Sequence, residues 1–258
     1  MIDWNTREFS VLLRLEVDMP EFGSSRFRST LDVTATFAMI IAALALVASS
    51  NGTSWRQFKR ADPSPLPTEP IPIGRDRVHG SPDAKVALLQ FTDFECPFCA
   101  VFARETLPTL LDKYVRSGRL LLAVRHLPLK RIHPLALRAA LTAECAGRQR
   151  MFWPMHDKLF QTEPLTEELL RSYTISLGLD SSLMDTCVNG SGLEIIKGDA
   201  ILASKLRISS TPTFFLGRVQ ADGRLVAQLE LKGAKPVSVF ENALEDIFRG
   251  KLVGVAGQ

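Results

Sequence analysis

The sequence is poor in cysteine, in histidine and in net charge, and each shortage excludes a class of function. Four cysteines in 258 residues are too few for a domain held together by disulfides, although they suit two pairs. The formal charge is only +3, with basic and acidic residues interspersed, so no surface for nucleic acid is indicated. His126 and His133 stand at no recognised spacing of metal ligands. We therefore predict no metal site, and we expect no cofactor.

A hydrophobic segment at residues 31–50 follows an N-terminal stretch that mixes polar and apolar residues. Residues 1–30 show no clean period, whereas residues 31–50 carry Asp32 as their single charge. The strictly apolar stretch Phe37–Ala48 has the length of a signal-peptide core, and its flanks bring it close to a minimal membrane span. Thirty residues are long for the leading part of a signal peptide unless Met19 is the true start. A cleaved signal peptide and a retained membrane anchor both stay open, with the anchor favoured, and either predicts export.

A proline-rich linker at residues 51–72 separates this segment from the rest of the chain. Prolines at this density give an extended and semi-rigid spacer. They stand at Pro63, Pro65, Pro67, Pro70 and Pro72. The folded domain is therefore predicted to cover residues 73–258.

The domain is organised around a Cys-Pro-Phe-Cys motif at the junction of a strand and a helix. Val86–Phe91 is a continuous apolar run typical of a buried central strand, and Ala100–Tyr114 has apolar residues at helical spacing. Pro97 suits the first turn of that helix, because its missing N–H costs nothing there. Cys96 is therefore predicted at the helix N-terminus, with Cys99 one turn later on the same face.

This placement predicts redox chemistry. Free backbone N–H groups and the helix dipole stabilise a thiolate at Cys96, so its pKa should fall below that of a free cysteine. Cys99 is placed to attack a mixed disulfide formed at Cys96. Half of a zinc site and a purely structural cysteine pair are the alternatives, and a Cys-x-x-Cys motif alone does not exclude them.

The rest of the chain predicts an α/β fold interrupted by helices. Leu120–Val124 is a second buried strand, so the unit is β-α-β with a parallel pair. Five helical patterns follow without any strand pattern, and we place a helical insertion at about residues 133–190. The helical patterns are Leu135–Ala146, Met151–Phe160, Thr166–Leu177, Ser181–Val188 and Leu193–Leu206. An aromatic strand after Pro212, a hairpin to Leu225–Leu231 and an amphipathic helix at Val237–Phe248 complete the prediction.

Three motifs in this order resemble the DsbA-like branch of the thioredoxin superfamily. They are Phe-Thr-Asp-Phe-Glu-Cys-Pro-Phe-Cys, Ala-Glu-Cys-Ala and Ser-Thr-Pro-Thr-Phe-Phe, within Val78–Leu252. The resemblance implies a thioredoxin fold with an inserted helical domain. It also implies that Cys96 is the nucleophile, that Cys99 is the resolving thiol, and that Thr211-Pro212 forms a cis-proline loop facing them. Such a loop would bind an extended substrate through its backbone edge, whereas a trans proline would simply start a strand.

The chain departs from the family pattern at two positions. Relatives commonly have a buried acid six residues before the first cysteine, and Gln90, which cannot titrate, occupies that position here. Asp93, Glu95 or water would then have to carry the proton during exchange. Phe98 stands where a histidine can stabilise the thiolate, so we expect a weaker oxidant than the strongest members of the family.

Cys145 and Cys187 lie outside the motif, on predicted helices of the insertion. A structural disulfide between them is favoured over two buried free thiols, because an exported protein rarely leaves two thiols unpaired. The sequence thus predicts an extracytoplasmic thiol–disulfide oxidoreductase, most simply an oxidant that acts on reduced or misoxidised proteins and is served by a membrane redox partner. A reductase or isomerase of the same fold is the first alternative, and a metal-binding or chaperone-like module is the second.

Overall fold

The computed structural model describes residues 65–74, 76–161 and 164–252 of the chain. The predicted polar segment at residues 1–30, the signal or anchor at 31–50 and most of the linker lie outside the described residues. No helix within the described residues is both long enough and apolar enough to cross a membrane.

A mixed sheet forms the centre of the described domain. Its strands are β1 (Ile71–Pro72), β2 (Val78–His79), β3 (Val86–Thr92), β4 (Leu120–His126), β5 (Thr213–Val219) and β6 (Arg224–Lys232). Their order across the sheet is β1-β6-β5-β3-β4-β2. The predicted central strand is confirmed: β3 pairs parallel with β4 and antiparallel with β5, and every residue of it is buried. The predicted hairpin of β5 and β6 is present as well.

Helices pack on the sheet, and five of them come between β4 and β5 along the chain. The helices are α1 (Pro97–Val101), α2 (Leu107–Leu110), α3 (Ala136–Arg148), α4 (Phe152–Gln161), α5 (Glu167–Ser176), α6 (Ser181–Val188), α7 (Ser191–Lys205) and α8 (Val237–Phe248). The five helices α3 to α7 follow β4 without an intervening strand, as the periodicity predicted. Thr166 and Asp180 begin α5 and α6 by accepting hydrogen bonds from the backbone N–H groups three residues ahead.

The helix after the cysteine motif differs from the single regular helix that was predicted. Two π-helical turns, Phe102–Thr106 and Leu111–Val115, flank α2. Pro108 lies in the first turn of α2, where it has no N–H to donate and its ring would clash with the carbonyl one turn earlier. The backbone therefore adopts a wider turn at this point instead of ending the helix.

Three groups of buried side chains surround the cysteine motif. One face of the sheet packs Leu88 and Phe214 against Phe102 and α8, and the opposite face buries Leu89 against the side of α7. The third group lies among the inserted helices and includes both motif cysteines together with Phe94, Phe152 and Phe160. The motif therefore sits where the sheet meets the insertion.

Trp153 joins the insertion to an edge of the sheet. Its indole N–H donates a hydrogen bond of 2.9 Å to the carbonyl of Val78 in β2. The ring also lies against the imidazoles of His79 and His156, with centroids 5.2 and 5.1 Å away. This contact fixes the short strand β2 to α4.

Candidate active site

The cysteine motif begins at a tight turn after β3. The carbonyl of Asp93 accepts a hydrogen bond of 3.2 Å from the N–H of Cys96, and a side-chain oxygen of Asp93 accepts one of 2.9 Å from the N–H of Glu95. Pro97 then occupies the first helical position, as predicted, and Ala100 donates to the carbonyl of Cys96. Cys96 is therefore the N-cap of the helix, and its side chain makes no capping hydrogen bond.

The sulfur of Cys96 lies against the loop before β5. It is 3.3 Å from the carbonyl oxygen of Thr211, to which the thiol donates a hydrogen bond. The pKa of Cys96 is lowered from 9.0 to about 6, and the largest cause is a hydrogen bond from the side chain of Cys99. Burial opposes this effect, whereas the Thr211 hydroxyl and the N–H groups at the start of the helix add to it. A large share of Cys96 is therefore a thiolate at neutral pH.

Cys99 has the opposite character. Both cysteines are buried, with residue exposures of 0% for Cys99 and 4% for Cys96, so Cys96 is not the exposed nucleophile that the resemblance implies. Burial is the largest cause that raises the pKa of Cys99 well above its usual range, and the hydrogen bond to Cys96 and the charge of Cys96 raise it further. The arrangement thus has one sulfur whose thiolate is favoured and one sulfur that stays protonated beneath it.

Thr211 and Pro212 line the site opposite the cysteines. Their peptide bond is cis, and the carbonyl of Pro212 accepts a hydrogen bond from Gly233. Within the described residues, the N–H of Thr211 has no hydrogen-bond partner, and its hydroxyl has no nitrogen or oxygen partner. Ser209 and Ser210 next to it are exposed. This loop therefore presents an unpaired backbone edge beside the sulfur of Cys96.

The two acids that the sequence suggested as proton carriers are bound to a neighbouring loop. One carboxylate oxygen of Asp93 accepts hydrogen bonds from the N–H of Leu129 and from a ring nitrogen of His133, both at 2.8 Å. The carboxylate of Glu95 accepts from the N–H of Leu135. Both acids therefore position the turn before Cys96, where both oxygens of Asp93 and one oxygen of Glu95 accept hydrogen bonds.

Gln90 occupies the position where relatives commonly have a buried acid, and it is itself fully buried. Neither its amide nitrogen nor its oxygen has a hydrogen-bond partner among the described residues. The hydroxyl of Thr92, two residues further along β3, also lacks a nitrogen or oxygen partner and lies next to the sulfur of Cys99. Buried polar groups without partners are uncommon and call for a functional explanation.

A buried cluster of charges, which the sequence analysis did not identify, lies behind the site. Arg77 binds the carboxylates of Glu144 and Asp199, and Arg125 binds the other oxygen of Asp199 at 2.8 Å. The imidazole of His126 lies 3.5 Å from Glu144. These residues come from β4, α3, α7 and the segment before β2. Because their separations in sequence follow no period, no local motif could have indicated them.

Cys145 and Cys187 form a disulfide that joins α3 to α6, with their sulfurs 2.10 Å apart. Gly192 in α7 lies directly against this bond: a methyl group at its position would stand 3.0 Å from the sulfur of Cys145. The absence of a side chain therefore lets α7 approach the disulfide. No group of three or more metal-binding side chains was found among the described residues.

The comparison with protein families identifies the class of the domain. The thioredoxin family model matches residues 73–230, which is more than half of the chain, so this chain belongs to the thioredoxin family.

Solved structures narrow the fold to the DsbA-like form of that family. Alpha-DsbA1 of Wolbachia pipientis superposes with a TM-score of 0.62 at 24% identity, covering 70% of this chain and 94% of that one. Oxidised BdbD of Bacillus subtilis gives 0.60 at 21% identity, covering 72% and 100%. A periplasmic thioredoxin-like protein of Salmonella enterica serovar Typhimurium gives 0.53 at 22% identity, covering 67% and 90%. The predicted thioredoxin fold with inserted helices is confirmed.

The relatives found by sequence similarity are named as Na(+)/H(+) antiporters. The Na(+)/H(+) antiporter NhaA 3 of Salinispora tropica is 34% identical over 177 residues, covering 67% of this chain and 26% of the antiporter. The Na(+)/H(+) antiporter NhaA 1 of Mycobacterium sp. strain KMS is 32% identical over 176 residues, covering 63% and 28%. The chain thus spans about a quarter of the length of these relatives. Their antiport activity is not carried over to this chain.

Proposed function

We propose that this chain is a protein thiol–disulfide oxidoreductase that exchanges a Cys96–Cys99 disulfide with cysteines of substrate proteins, acting as an oxidant outside the cytoplasm. The observation that carries the proposal is the difference between the two sulfurs: a pKa of about 6 at Cys96 and a raised pKa at the buried Cys99. A thiolate stabilised in the reduced protein makes the disulfide the less stable form. Such a disulfide passes readily to other proteins.

The oxidising reaction begins when a substrate thiolate attacks the sulfur of Cys96. The new bond joins the substrate to Cys96, the Cys96–Cys99 bond breaks, and the electron pair leaves on Cys99, which then takes up a proton. A second substrate thiolate attacks the substrate sulfur of this mixed disulfide and releases Cys96 as its stable thiolate. The substrate leaves with a disulfide and the protein leaves with two reduced sulfurs. An unidentified membrane redox partner would reoxidise the pair.

The Thr211 edge would hold the substrate during this reaction. Its unpaired N–H and the neighbouring carbonyl can bond to an extended substrate segment, as in strand addition. Because the Thr211 carbonyl lies 3.3 Å from the Cys96 sulfur, a segment bound here would bring its own cysteine to the nucleophile. Thr211 and Pro212 are thus the proposed substrate-binding residues.

Export is supported by the second cysteine pair. The Cys145–Cys187 disulfide suits an oxidising compartment, where such bonds persist. The hydrophobic segment at residues 31–50 would serve as the signal or the membrane anchor. One of the similar solved structures is described as a periplasmic protein, which agrees with this location.

The reduction potential of the Cys96–Cys99 pair tests the direction of the reaction. We expect a value closer to that of strong periplasmic oxidants, about −120 mV, than to the value of about −270 mV found for thioredoxin. Phe98 provides no charge to stabilise the thiolate, so the value should fall short of the strongest oxidants. The wild type should also oxidise reduced ribonuclease, and Cys96→Ser should not. A potential near that of thioredoxin, together with insulin reduction, would establish the reductase instead.

A further inference from the structure

The buried thiol of Cys99 needs a proton acceptor that the proposed reaction has not yet named. When Cys99 resolves a mixed disulfide at Cys96, its S–H must lose a proton before the sulfur can attack. Its side chain is fully enclosed, and burial makes the thiolate form costly. An acceptor inside the protein must therefore take the proton.

The nearest acids are poorly placed for this task. The carboxylate of Asp93 already accepts three hydrogen bonds, from the backbone of Glu95 and Leu129 and from the ring of His133. The carboxylate of Glu95 is held by the N–H of Leu135. These bonds hold both carboxylates against the turn and the neighbouring loop.

Polar side chains other than these two acids lie on the face of the sheet that the cysteines cover. In the parallel register of β3 and β4, Gln90 pairs with Val124, and Thr92 pairs with His126. Paired residues on adjacent strands project to the same face, and residues two apart along a strand share that face. Gln90, Thr92 and His126 therefore form one polar row, and Val124 on that face packs in the same buried group as Cys99.

The polar row has an unusual number of unused hydrogen-bonding atoms. Both side-chain polar atoms of Gln90, the hydroxyl oxygen of Thr92 and both ring nitrogens of His126 lack hydrogen-bond partners among the described residues. The Thr92 hydroxyl adjoins the sulfur of Cys99. A hydroxyl can receive one proton while it passes on its own. Thr92 and His126 are paired in the register of β3 and β4, and no hydrogen bond joins their side chains in this structure. Because none of these atoms has another partner within the described residues, the hydroxyl can turn to the imidazole and link it to the thiol when Cys99 ionises.

The surroundings of His126 suit a base that is neutral at rest. Its ring is wholly buried and lies against the rings of Phe94 and Phe152. Burial is the largest cause that lowers its pKa, and the nearby Glu144 opposes this. The charged groups that face it are Glu144 on α3, Asp199 on α7 and Arg77 before β2. Glu144 lies 3.5 Å from Nε2, which leaves Nδ1 free to accept.

We propose that His126 accepts the proton of Cys99 through the hydroxyl of Thr92 when Cys99 resolves the mixed disulfide. The Cys99 proton passes to the Thr92 oxygen, and the Thr92 proton passes to Nδ1 of His126. The Cys99 thiolate then attacks the sulfur of Cys96, the Cys96–Cys99 bond forms, and the electron pair of the broken bond leaves on the substrate sulfur. In the oxidising direction the same steps run in reverse and protonate Cys99. This inference rests on the proposed disulfide exchange.

The test isolates the attack by Cys99. Cys96 of the reduced full-length protein is first converted at low pH to a mixed disulfide with thionitrobenzoate. The pH is then raised, and the release of thionitrobenzoate is followed by its absorbance. We expect His126→Gln to slow release about 10²-fold at pH 7, the lower end of the effect of a proton-transfer group. Its rate should also rise about tenfold per pH unit, because hydroxide replaces the lost base, whereas the wild-type rate should level off.

His156→Gln is the matched control. His156 is as deeply buried as His126, and its ring centroid lies at the same 5.9 Å from that of Phe94, but it belongs to α4 and binds Asp157. This variant should keep the wild-type rate and pH profile. Equal slowing of both variants, or an unchanged profile in His126→Gln, would overturn the inference.

Thr92→Val decides the matter if His126→Gln does not fold. It removes the linking hydroxyl while keeping the shape of the side chain, and it should show the same slowing and the same steeper pH dependence. A wild-type profile in this variant would overturn the inference. Failure of the wild type itself to form the mixed disulfide would instead refute the proposed function.

Discussion

Two cysteines separated by only two residues differ in their acidity because their surroundings differ. Cys96 ends the turn after β3, where N–H groups and a thiol point at its sulfur, and Cys99 lies beneath it with no solvent contact. The hydrogen bond between them favours ionisation of the first and opposes ionisation of the second. The chemistry therefore depends on which sulfur is buried more deeply.

The low pKa of Cys96 should make the stability of the reduced protein depend on pH. An acid whose pKa is lower in the folded state than in the unfolded state adds stability above its folded pKa, and this gain is lost as the pH falls through that value. With a shift from 9.0 to about 6, the free energy of unfolding of the reduced protein should rise between pH 6 and pH 8. We expect a rise of about 1 to 2 kcal/mol over this range.

Urea denaturation of the reduced wild type at several pH values measures this rise. Cys96→Ala is the control, since it removes the titrating group and should not show the added slope. Parallel curves for the two proteins would contradict the assigned ionisation of Cys96.

At the residue scale, the sequence predicts the kind of chemistry better than its causes. The helix end at Pro97 suggested an acidic Cys96, whereas the largest cause of its lowered pKa is the thiol of Cys99, and another is Thr211, 115 residues away. A local sequence pattern shows neither which groups bond to the Cys96 sulfur nor how far along the chain they lie. For the same reason, the sequence alone did not indicate that Thr92 of β3 pairs with His126 of β4.

At the scale of elements, one arginine ties the start of the domain to two helices of the insertion. Arg77 is almost fully buried and binds Glu144 of α3 and Asp199 of α7, while its Nε donates to the carbonyl of Val124 in β4. Burial raises the pKa of Glu144, but the nearby imidazole of His126 and the charge of Arg77 outweigh it and lower that pKa to about 2. The carboxylate therefore stays charged through the neutral and mildly acidic range.

Removing this carboxylate charge should destabilise the fold. We expect Glu144→Gln to lower the free energy of unfolding by roughly 3 kcal/mol, because it leaves part of the charge of Arg77 buried without its partner. Glu167→Gln is the matched control: its 3.5 Å contact with Arg138 is exposed to solvent, so its loss should cost less than about 1 kcal/mol. Thermal and urea denaturation at pH 7 measure both. Equal costs would mean that the buried pair contributes no more than a surface one.

Most of the strands and helices could be predicted from the periodicity of apolar residues. Apolar runs predicted β3 and β4, and helical spacing predicted α3 to α8, because each element buries one regular face. The π-helical turns around Pro108 were not predicted, since they depend on how the chain relieves the clash at one proline. The charge cluster was missed because Arg77, Glu144 and Asp199 belong to three different segments.

At the scale of the whole molecule, the second cysteine pair holds the insertion together. The Cys145–Cys187 bond closes a loop of 42 residues that contains α4 and α5. Its sulfurs are buried against Gly192, so α7 packs on the cross-link as well. The cross-link thus joins α3 to α6, and α7 packs against it.

Loss of this bond should reduce stability without abolishing exchange. A loop of this length predicts a loss of about 3 to 4 kcal/mol in the free energy of unfolding for the double variant Cys145→Ser/Cys187→Ser. Denaturation of the oxidised wild type and of the variant measures the difference. Because neither sulfur belongs to the proposed exchange pair, the folded variant should still form the mixed disulfide at Cys96. A variant as stable as the wild type would show that the bond does not constrain the chain.

The contact between Trp153 and Val78 has an optical consequence. The sequence contains three tryptophans, Trp4, Trp55 and Trp153, so replacing the first two by Phe leaves a single indole as the emitter. That indole lies between two imidazoles and donates to the backbone of β2. A change in its emission would therefore report when β2 detaches from α4, in real time and without an added dye.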